Sequence, residues 1–294
     1  MRADVLLYFD DEAGAALRLA QAAALAPAPV ARHHFPDGEI RLQLPDPLPA
    51  RVVLLRTLDR PNDKLIELLL AARTARTLGA RHLTLVAPYL AYMRQDIAFH
   101  PGEAVSQQIV GRFLAELFDA VITVDPHLHR VTALHEAVPV AQAVALSGAP
   151  LLAELIAQRR PGALLIGPDS ESAQWVSQAA ARHGFEHAVC AKQRRGDHDV
   201  DIQLPAQRVA GRPVVLLDDV ASTGNTLAQA ARLLRAAGAA TVDVAVTHAL
   251  FAADAGQCLR EAGVGEIWST DCITHPSNAV FMADILADAL KRLD

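Results

Sequence analysis

The stretch that decides the fold begins at Val214 and reads VVLLDDVASTGNTLAQAARLLRAAGAATVDVAVTH. Its opening run of branched apolar residues predicts a buried strand, and the apolar spacing after Thr226 predicts an amphipathic helix. Gly238 ends that helix, and a second apolar run follows. Strand, helix and strand in this order are the unit from which parallel sheets are built.

A second stretch of the same kind begins at Val52 and reads VVLLRTLDRPNDKLIELLLAARTARTLGARHLTLVAP. The distance along the chain from Val52 to Gly79 differs by three residues from that between Val214 and Gly238. Two interpretations are open. One is that the stretches are unrelated, because any two strand–helix–strand units look alike. The other interpretation is a duplicated domain, in which only the second copy has kept an acidic, glycine-containing loop.

Short apolar runs alternate with helical patterns along most of the chain. Strands are predicted at residues 5–9, 52–55, 83–87, 121–125, 163–166, 187–191, 214–217, 242–247 and 267–270. Helices are predicted at residues 63–78, 103–118, 171–183, 226–237 and 254–262. The alternation predicts an α/β fold of mostly parallel sheets with helices on both faces. A chain of 294 residues suggests two domains, and we place the boundary near residue 142.

The composition limits the class of function. Hydrophobic residues make up 52% and aromatic residues only 4%, so the core must be built from Ala, Leu, Val and Ile. A net charge of −6 argues against a general nucleic-acid or membrane-surface binder. Cys190, Cys258 and Cys272 give no disulfide framework. Because no signal pattern opens the chain and prolines interrupt the Ala-rich residues 13–31, we expect a cytoplasmic protein.

The segment after the apolar run at residues 213–217 combines carboxylates with a phosphate-binding pattern. A strand end that leads into a helix presents backbone N–H groups and the positive end of the helix dipole, which both favour an anion. Two carboxylates beside such a site suit ribose hydroxyls or a hydrated Mg²⁺. The alternative is an acidic helix cap with ordinary turn residues. The residues concerned are Asp218, Asp219, Ser222, Thr223, Gly224, Asn225 and Thr226.

The same residues, DDVASTGNT, resemble the loop that binds 5-phosphoribosyl 1-diphosphate (PRPP) in the type I phosphoribosyltransferase fold. The resemblance implies that Asp218 and Asp219 hold the ribose hydroxyls and that residues 222–226 hold the 5-phosphate. Ser222 stands where many members carry another Asp, and Asn225 where many carry Gly. By itself the loop fits any transferase of this group.

Further segments resemble the ribose-phosphate diphosphokinase (PRPP synthetase) family. The sequence FPDGEI, from Phe35, resembles its N-terminal signature. This implies that Phe35, Asp37 and Glu39 reach the adenine of ATP in a neighbouring subunit, and therefore that the protein is a homo-oligomer. On the residues alone, Pro-Asp-Gly is also an ordinary hairpin turn.

The segment PYLAYMRQDIAFHPGEAVS, at residues 88–106, resembles the ATP-binding segment of that family. The resemblance implies nucleotide contacts from Arg94, Gln95 and Asp96, and an arginine on a loop suits bidentate phosphate binding. The alternative is a set of exposed loop residues without a ligand. Residues 97–100 depart from the basic pattern of the common bacterial form and resemble the compact branch of the family.

The sequence TVDPHLH, at residues 123–129, matches the TVDxH element of the family at a predicted strand end. The resemblance implies that His127, together with Asp125, binds the Mg²⁺ that accompanies ATP. A zinc site is the other interpretation, but no cysteine is near and the spacing to His135 fits no usual zinc pattern. We interpret His129 and His135 as exposed histidines.

Segments in the second half of the chain complete the resemblance. The sequence AKQRRGD resembles the flexible catalytic loop, which implies that Lys192 and Arg194 stabilise the transferring diphosphate. The alternative is a solvated basic turn. Asp169 matches an aspartate that helps to place a metal or the ribose, and its alternative is a helix cap. Residues 247–248 and 269–271 resemble late family elements and are expected to line the cleft.

Together the resemblance implies two similar phosphoribosyltransferase-type domains, at residues 1–141 and 142–279, with a C-terminal helix at 280–294 that packs back on the first. It implies transfer of the diphosphate of ATP to the C1 hydroxyl of ribose 5-phosphate, with Mg²⁺, giving PRPP and AMP. An inactive regulatory homologue is expected to lose residues such as Lys192 or His127. A phosphoribosyltransferase that consumes PRPP would not need the elements at residues 35–39, 94–96 and 192–194.

Overall fold

The computed structural model describes residues 5–128, 130–194, 200–252 and 254–293, apart from the side chains of residues 192–194, 200 and 201. The chain forms two compact units. Unit 1 comprises Met1–Leu146 and Met282–Asp294, and unit 2 comprises Ser147–Phe281. Unit 2 thus begins at residue 147 and not at the expected 142, because residues 142–146 form an edge strand of the first sheet.

Unit 1 is built on a parallel sheet. Its strands are β1 (Val5–Tyr8), β2 (Ala26–Pro29), β3 (Ala31–His34), β4 (Ile40–Gln43), β5 (Arg51–Leu55), β6 (His82–Val86), β7 (Ala120–Val124) and β8 (Gln142–Leu146). Its first helices are α1 (Ala13–Ala23), α2 (Pro61–Thr77), α3 (Ser106–Leu117) and α4 (Leu134–Ala137). Six strands pair in parallel in the order β2-β1-β5-β6-β7-β8, and β3 and β4 form a separate antiparallel hairpin.

Unit 2 repeats this plan. Its helices are α5 (Ala149–Arg159), α6 (Ala173–His183), α7 (Asn225–Ala236) and α8 (Ala255–Glu261), with a short 3-10 helix at Ser170–Ser172. Its strands are β9 (Leu164–Gly167), β10 (His187–Val189), β11 (Ala191–Arg194), β12 (Val200–Gln203), β13 (Pro213–Ala221), β14 (Thr241–Ala249), β15 (Ile267–Thr270) and β16 (Asn278–Val280). The six-stranded sheet has the order β10-β9-β13-β14-β15-β16, and β11 and β12 form the hairpin.

The two units have the same topology. In each, the second strand along the chain lies at one edge, the first lies inside it, and the remaining four follow in order. In each, the antiparallel hairpin is inserted between the second and third strands of the sheet. The stretches from Val52 and Val214 are the third strand of each sheet with the helix that follows. The expected fold class is therefore confirmed, and the shared topology agrees with the interpretation of a duplicated domain.

The core of each unit consists of aliphatic side chains from the strands and small residues from the helices. Strands β5 and β7 are apolar along most of their length because helices cover both faces of a parallel sheet. Ala71 and Ala75 of α2, and Ala228 and Ala231 of α7, are buried against their sheets. None of the helices in the described ranges combines the length and the apolar character that a membrane crossing requires.

The last helix, α9 (Ala283–Arg292), belongs to unit 1 and packs against α1. Its buried residues are Leu286, Ala287 and Ala289. The side-chain amide of Gln142 in β8 donates to the carbonyl oxygen of Leu293 at 3.4 Å. The end of the chain therefore completes the first unit.

Strand β2 forms one edge of the unit 1 sheet and has the sequence Ala-Pro-Ala-Pro. The N–H of Val30, directly after it, donates to the carbonyl oxygen of Tyr8 in β1 at 2.8 Å. Because successive N–H groups of a strand point to opposite sides, Pro27 and Pro29 occupy the positions whose N–H would face away from the sheet. The missing proline N–H groups therefore remove no hydrogen bond within the sheet.

Gly111 marks a close approach between α3 and the C-terminal end of α4. A Cβ atom built at this position would lie 1.8 Å from the carbonyl oxygen of Ala137. We expect Gly111→Ala to lower the free energy of unfolding by about 3 kcal/mol, because main-chain atoms cannot give way as a flexible side chain does. Urea denaturation measures the effect. Gln108→Ala, at an exposed position of the same helix, is the control, and an equal midpoint for both variants would contradict the close contact.

Candidate active site

The carboxylates Asp218 and Asp219 lie inside β13, near its carboxyl end. The sequence predicted an end at Leu217, but the strand continues to Ala221 because β14 pairs with it that far. Asp218 is half-buried and Asp219 is buried. The N–H of Asp219 donates to Oδ1 of Asp218 at 3.0 Å, and the N–H of Val220 donates to Oδ1 of Asp219 at 2.8 Å. The backbone of the strand thus fixes both carboxylates.

A tight turn connects β13 to α7, which begins at Asn225. Gly224 has a φ of 75°, a left-handed conformation that glycine adopts without strain. The hydroxyl of Thr223 accepts the N–H of Asn225 at 3.4 Å, and the first turn of a helix has N–H groups without helical partners. An open pocket of about 150 Å³ lies here, lined by Asp169, Asp218 and residues 220–227.

The pocket collects most of the predicted sugar-phosphate residues. Asp218 and residues 222–226 line it, whereas Asp219 is buried and is not among the lining residues. Asp169 both lines the pocket and caps the 3-10 helix, since its Oδ1 accepts the N–H of Glu171 at 3.0 Å. The hydroxyl of Ser172 donates to the carbonyl oxygen of Asp169 at 2.5 Å in a fully buried position. Ser172 therefore holds the loop and does not face a ligand.

The charges of the pocket are unbalanced. Burial raises the pKa of Asp218 well above its usual range, and the negative charges of Asp219 and Asp169 raise it further. Such a site is suited to a cation or to hydroxyl donors. Over the described ranges, no three His, Cys, Asp or Glu side chains are arranged to hold a metal ion alone. The carboxylates fit a hydrated Mg²⁺ that shares its ligands with substrate phosphates.

Residues 247–248 and 269–270 do not line this pocket, contrary to expectation. All four are buried, with exposed fractions of 1% or less. The reason is that β14 extends to Ala249 and β15 pairs beside it, so these residues lie within the sheet. The hydroxyl of Thr270 donates to the carbonyl oxygen of Thr247 at 2.6 Å. The Thr270 hydroxyl therefore links two neighbouring strands, and Asp271 follows directly after β15.

In unit 1, Asp125 follows the end of β7, as the sequence predicted. It is buried, and its N–H donates to the carbonyl oxygen of Leu146 at 2.8 Å. Its φ of 37° is unusual for a residue other than glycine, and such strain is concentrated at functional sites. His127 is half-buried two positions further on, and His129 lies outside the described residues.

The three residues predicted to contact ATP differ in exposure. Arg94 is exposed and Gln95 is half-buried, with its amide 3.4 Å from Glu103. Asp96 is buried and accepts a hydrogen bond from Arg130 at 2.6 Å. Its carboxylate is therefore ion-paired within the unit, and its contact with the nucleotide stays a prediction.

Residues 97–100, which depart from the bacterial pattern, are held by a side chain that sequence reasoning did not single out. The carboxylate of Glu103 accepts the N–H of Phe99 at 2.8 Å and lies 2.7 Å from Nδ1 of His100. These contacts lower the pKa of Glu103, the hydrogen bond from His100 most of all. Glu103 was visible in the sequence as the acid three residues before the start of α3.

Residues 35–39 form the tip of the β3–β4 hairpin, and all of them are exposed. The N–H of Phe35 donates to the carbonyl oxygen of Glu39 at 2.8 Å, and that of Gly38 donates to the carbonyl oxygen of Phe35 at 3.0 Å. The rings of Phe35 and His33 meet edge to face, with centroids 4.8 Å apart. The segment is thus a hairpin turn that presents Phe35, Asp37 and Glu39 to solvent.

Lys192 and Arg194 lie in β11 of the equivalent hairpin in unit 2, where their Cα partners in β12 are Ile202 and Val200. Their side chains are outside the described part of the structure. The structure therefore gives only their backbone positions, in the strand that follows β10 and the buried Cys190. Their catalytic role stays a prediction.

A cluster of buried charges at the carboxyl ends of β1 and β5 was not predicted. Arg56, whose side chain is 1% exposed, bonds Asp11 at 2.8 Å and Glu67 at 2.5 Å and lies 3.3 Å from Glu12. Its guanidinium also lies over the ring of Phe9, 4.5 Å from the centroid. The signal was present in the sequence: VVLLR, whose Arg56 directly follows β5, aligns with VVLLD of β13, so an arginine stands where unit 2 has the first acid of its pocket.

Comparison with known proteins gives consistent similarities. Residues 6–117 match the family model described as the N-terminal domain of ribose phosphate pyrophosphokinase, and residues 136–288 match that of a phosphoribosyl transferase domain. The chain is 36% identical over 279 residues to a ribose-phosphate pyrophosphokinase of Methanopyrus kandleri, over 94% of each chain. It is 33% identical over 282 residues to that of Methanosarcina acetivorans, over 95% of this chain and 96% of the other.

A solved structure has the same fold. The crystal structure of phosphoribosylpyrophosphate synthetase from Mycobacterium smegmatis superposes with a TM-score of 0.83 at 23% identity, over 99% of this chain and 98% of that one. The two-unit architecture is therefore shared along the full described length.

Proposed function

This chain belongs to the ribose-phosphate pyrophosphokinase family, and from that premise we propose which of its residues bind each substrate and which stabilise the transfer. The protein is an enzyme that transfers the diphosphate of ATP to the C1 hydroxyl of ribose 5-phosphate, giving PRPP and AMP. The observation that carries the residue assignment is the acidic pocket between β13 and α7.

Ribose 5-phosphate binds in the pocket of unit 2. Its phosphate lies against residues 222–226, where hydroxyls and the N–H groups at the start of α7 donate hydrogen bonds. Asp218 accepts hydrogen bonds from the ribose hydroxyls, and Asp219 supports it from within the strand. Hydroxyl donors suit Asp218 because its carboxylate is desolvated and faces two other acids.

Mg²⁺ is the proposed cofactor. In unit 2, Asp169 would hold an ion beside the sugar phosphate, and in unit 1, His127 with Asp125 would hold the ion that accompanies ATP. When bound, it balances the charge of the phosphates and keeps their oxygen atoms in position. Asp169 and Asp125 are the hard oxygen ligands that Mg²⁺ prefers, and it commonly binds one or two carboxylates together with substrate phosphates and water.

Lys192 and Arg194 stabilise the diphosphate as the C1 oxygen attacks the β-phosphorus in line with the departing AMP. The duplication supports this assignment. Arg32 of unit 1 has Leu42 as its Cα partner, in the same register position that Lys192 has opposite Ile202. The guanidinium of Arg32 bonds carboxylates at the end of the unit 1 sheet. A cation at this hairpin position therefore reaches the end of its own sheet, which in unit 2 is where the pocket lies.

Arg94 and Gln95 bind ATP, and Asp96 positions that segment through Arg130. The loop at residues 35–39 completes the ATP site of a neighbouring subunit, so the active form is a homo-oligomer. Its exposure on a hairpin tip supports this role. We place the enzyme in the cytoplasm, to which its three free cysteines are suited.

A direct assay tests the reaction and its requirements. Purified protein with Mg-ATP and ribose 5-phosphate is expected to form AMP and PRPP in equal amounts. AMP should not form without the sugar phosphate, and chelation of the metal should stop the reaction. AMP formed without the sugar phosphate, or no AMP with any of several nucleotides, would contradict the assignment.

A further inference from the structure

The β3–β4 hairpin has few contacts of its own to fix its position. Among residues 31–43, only Arg32, Ile40 and Leu42 are half-buried, and the others are exposed. An isolated two-stranded hairpin is marginally stable at best. The direction in which the hairpin points must therefore be set by these three side chains, and Arg32 is the only one of them that can make directional ionic contacts.

Arg32 connects the hairpin to two elements of unit 1. Its Nη2 donates to Asp10 at 2.9 Å and lies 3.2 Å from Asp11, both directly after β1. Its Nη1 donates to the carboxylate of Glu67 in α2. The guanidinium also lies 5.5 Å from the centroid of Phe9. One side chain thus holds the hairpin against the end of the sheet and against a helix.

Two of the three carboxylates that bind Arg32, those of Asp11 and Glu67, are themselves held. Glu67 is 2% exposed and also bonds Arg56, which in turn bonds Asp11. A buried carboxylate shared by two arginines has little freedom to turn away, because moving it would leave a charge unpaired. Arg32 therefore docks onto a rigid surface, and Glu67 keeps one partner when Arg32 is removed.

The equivalent positions of unit 2 have different partners. Arg56, directly after β5, aligns with Asp218 in β13, and Arg32 occupies the hairpin position of Lys192. In unit 2 the carboxylates at the strand ends line an open pocket. In unit 1 the carboxylate of Asp11, in the segment after β1, binds arginines of the chain itself. Arg32 of the unit 1 hairpin thus has internal carboxylate partners, whereas Lys192 of the unit 2 hairpin is assigned to the substrate.

We propose that Arg32 is a positioning residue for the reaction: by docking the β3–β4 hairpin onto Asp10, Asp11 and Glu67, it holds the loop at residues 35–39 where a neighbouring subunit binds ATP. The inference rests on the proposed function of that loop. Phe35 is the third residue after Arg32, and its ring packs on His33 of β3. A change of angle at the base of the hairpin is therefore transmitted to its tip.

Arg32→Ala is expected to raise KM for ATP by about tenfold to a hundredfold, because displacement of a binding group by about 1 Å has effects of this size. KM for ribose 5-phosphate and kcat should change little, since the loop contributes binding and not transition-state stabilisation. Arg32→Lys should restore part of the affinity. Arg41→Ala, at an exposed position of the same hairpin, is the matched control and should have the kinetics of the native enzyme.

Two further measurements separate positioning from general damage. Phe35→Ala should raise KM for ATP, and the effects of the two changes should be less than additive in the double variant, because Arg32 acts through the loop that carries Phe35. Amide hydrogen exchange should become faster at residues 31–43 of Arg32→Ala and stay unchanged in the sheet. Additive effects in the double variant, or unchanged exchange in the hairpin, would overturn the proposal. If Phe35→Ala keeps the native KM, the ATP role of the loop is wrong, and the exchange data still test the docking.

Discussion

Replacing Lys192 by alanine is expected to lower kcat for PRPP formation by about a hundredfold to a thousandfold. Negative charge on the transferring diphosphate is redistributed most strongly in the transition state. A cation that contacts the group at that point lowers the barrier without tightening the binding of either substrate. The KM values for ATP and ribose 5-phosphate should therefore stay close to the native ones. Initial rates of AMP formation with both substrates varied give all three constants.

Two further variants test whether the loss of kcat is specific to the positive charge of Lys192. Gln193→Ala, at the next position of β11, removes a neutral side chain from the same strand and should leave kcat unchanged. Lys192→Arg keeps the positive charge with a different shape and should recover part of the rate. Full activity in Lys192→Ala would mean that the KQRR sequence is the solvated basic turn that its composition alone suggests.

Replacing Asp218 by asparagine is expected to reduce kcat/KM for ribose 5-phosphate by about a hundredfold, since charged hydrogen bonds to two hydroxyls are weakened. The same change should stabilise the protein without substrates. The raised pKa of Asp218 means that the folded state retains a proton that the unfolded state loses above a pKa near 3.8. The free energy of unfolding therefore falls as pH rises from the pKa of the unfolded state toward the raised pKa of the folded state. This destabilisation is present at neutral pH. Asparagine carries no such charge.

Thermal unfolding in the presence of a metal chelator tests this prediction. At pH 7, Asp218→Asn should unfold about 2–4 °C above the native protein. The difference should shrink as the pH is lowered toward the ordinary carboxyl range. Asp254→Asn, at an exposed position of unit 2, is the control for removal of one negative charge. A variant that is both inactive and less stable would indicate that Asp218 serves the fold.

Much of the architecture followed from the apolar pattern. Each of the nine strands expected from apolar runs corresponds to a strand inside a six-stranded sheet or at its β10 edge. The missed strands lie at the margins: β2, β8 and β16 pair on one side only, and the two hairpins stand outside the sheets. Such strands need no continuous apolar run, because few of their side chains enter the core. The stretch at residues 142–146 was assigned to the wrong side of the boundary for the same reason.

The site could be predicted where its functional residues are consecutive in the sequence. The turn at residues 222–226 and the acid Asp218 lie around one pocket, with Asp169 joining them from another strand end. The internal pairing of Asp96 with Arg130 was not predictable, because the two residues are distant in the sequence. The docking of Arg32 on Glu67 was hidden for the same reason, since it depends on how a hairpin meets a helix.

The two prolines of β2 have a consequence for behaviour at high concentration. An unpaired strand edge is a template onto which strands of other molecules can add, and this is how fibrillar aggregates grow. At the outer margin of the unit 1 sheet, Pro27 and Pro29 stand where N–H donors would face an incoming strand. An arriving chain would find acceptors without the alternating donors that a ladder requires. That margin therefore resists templated polymerisation while the enzyme is folded.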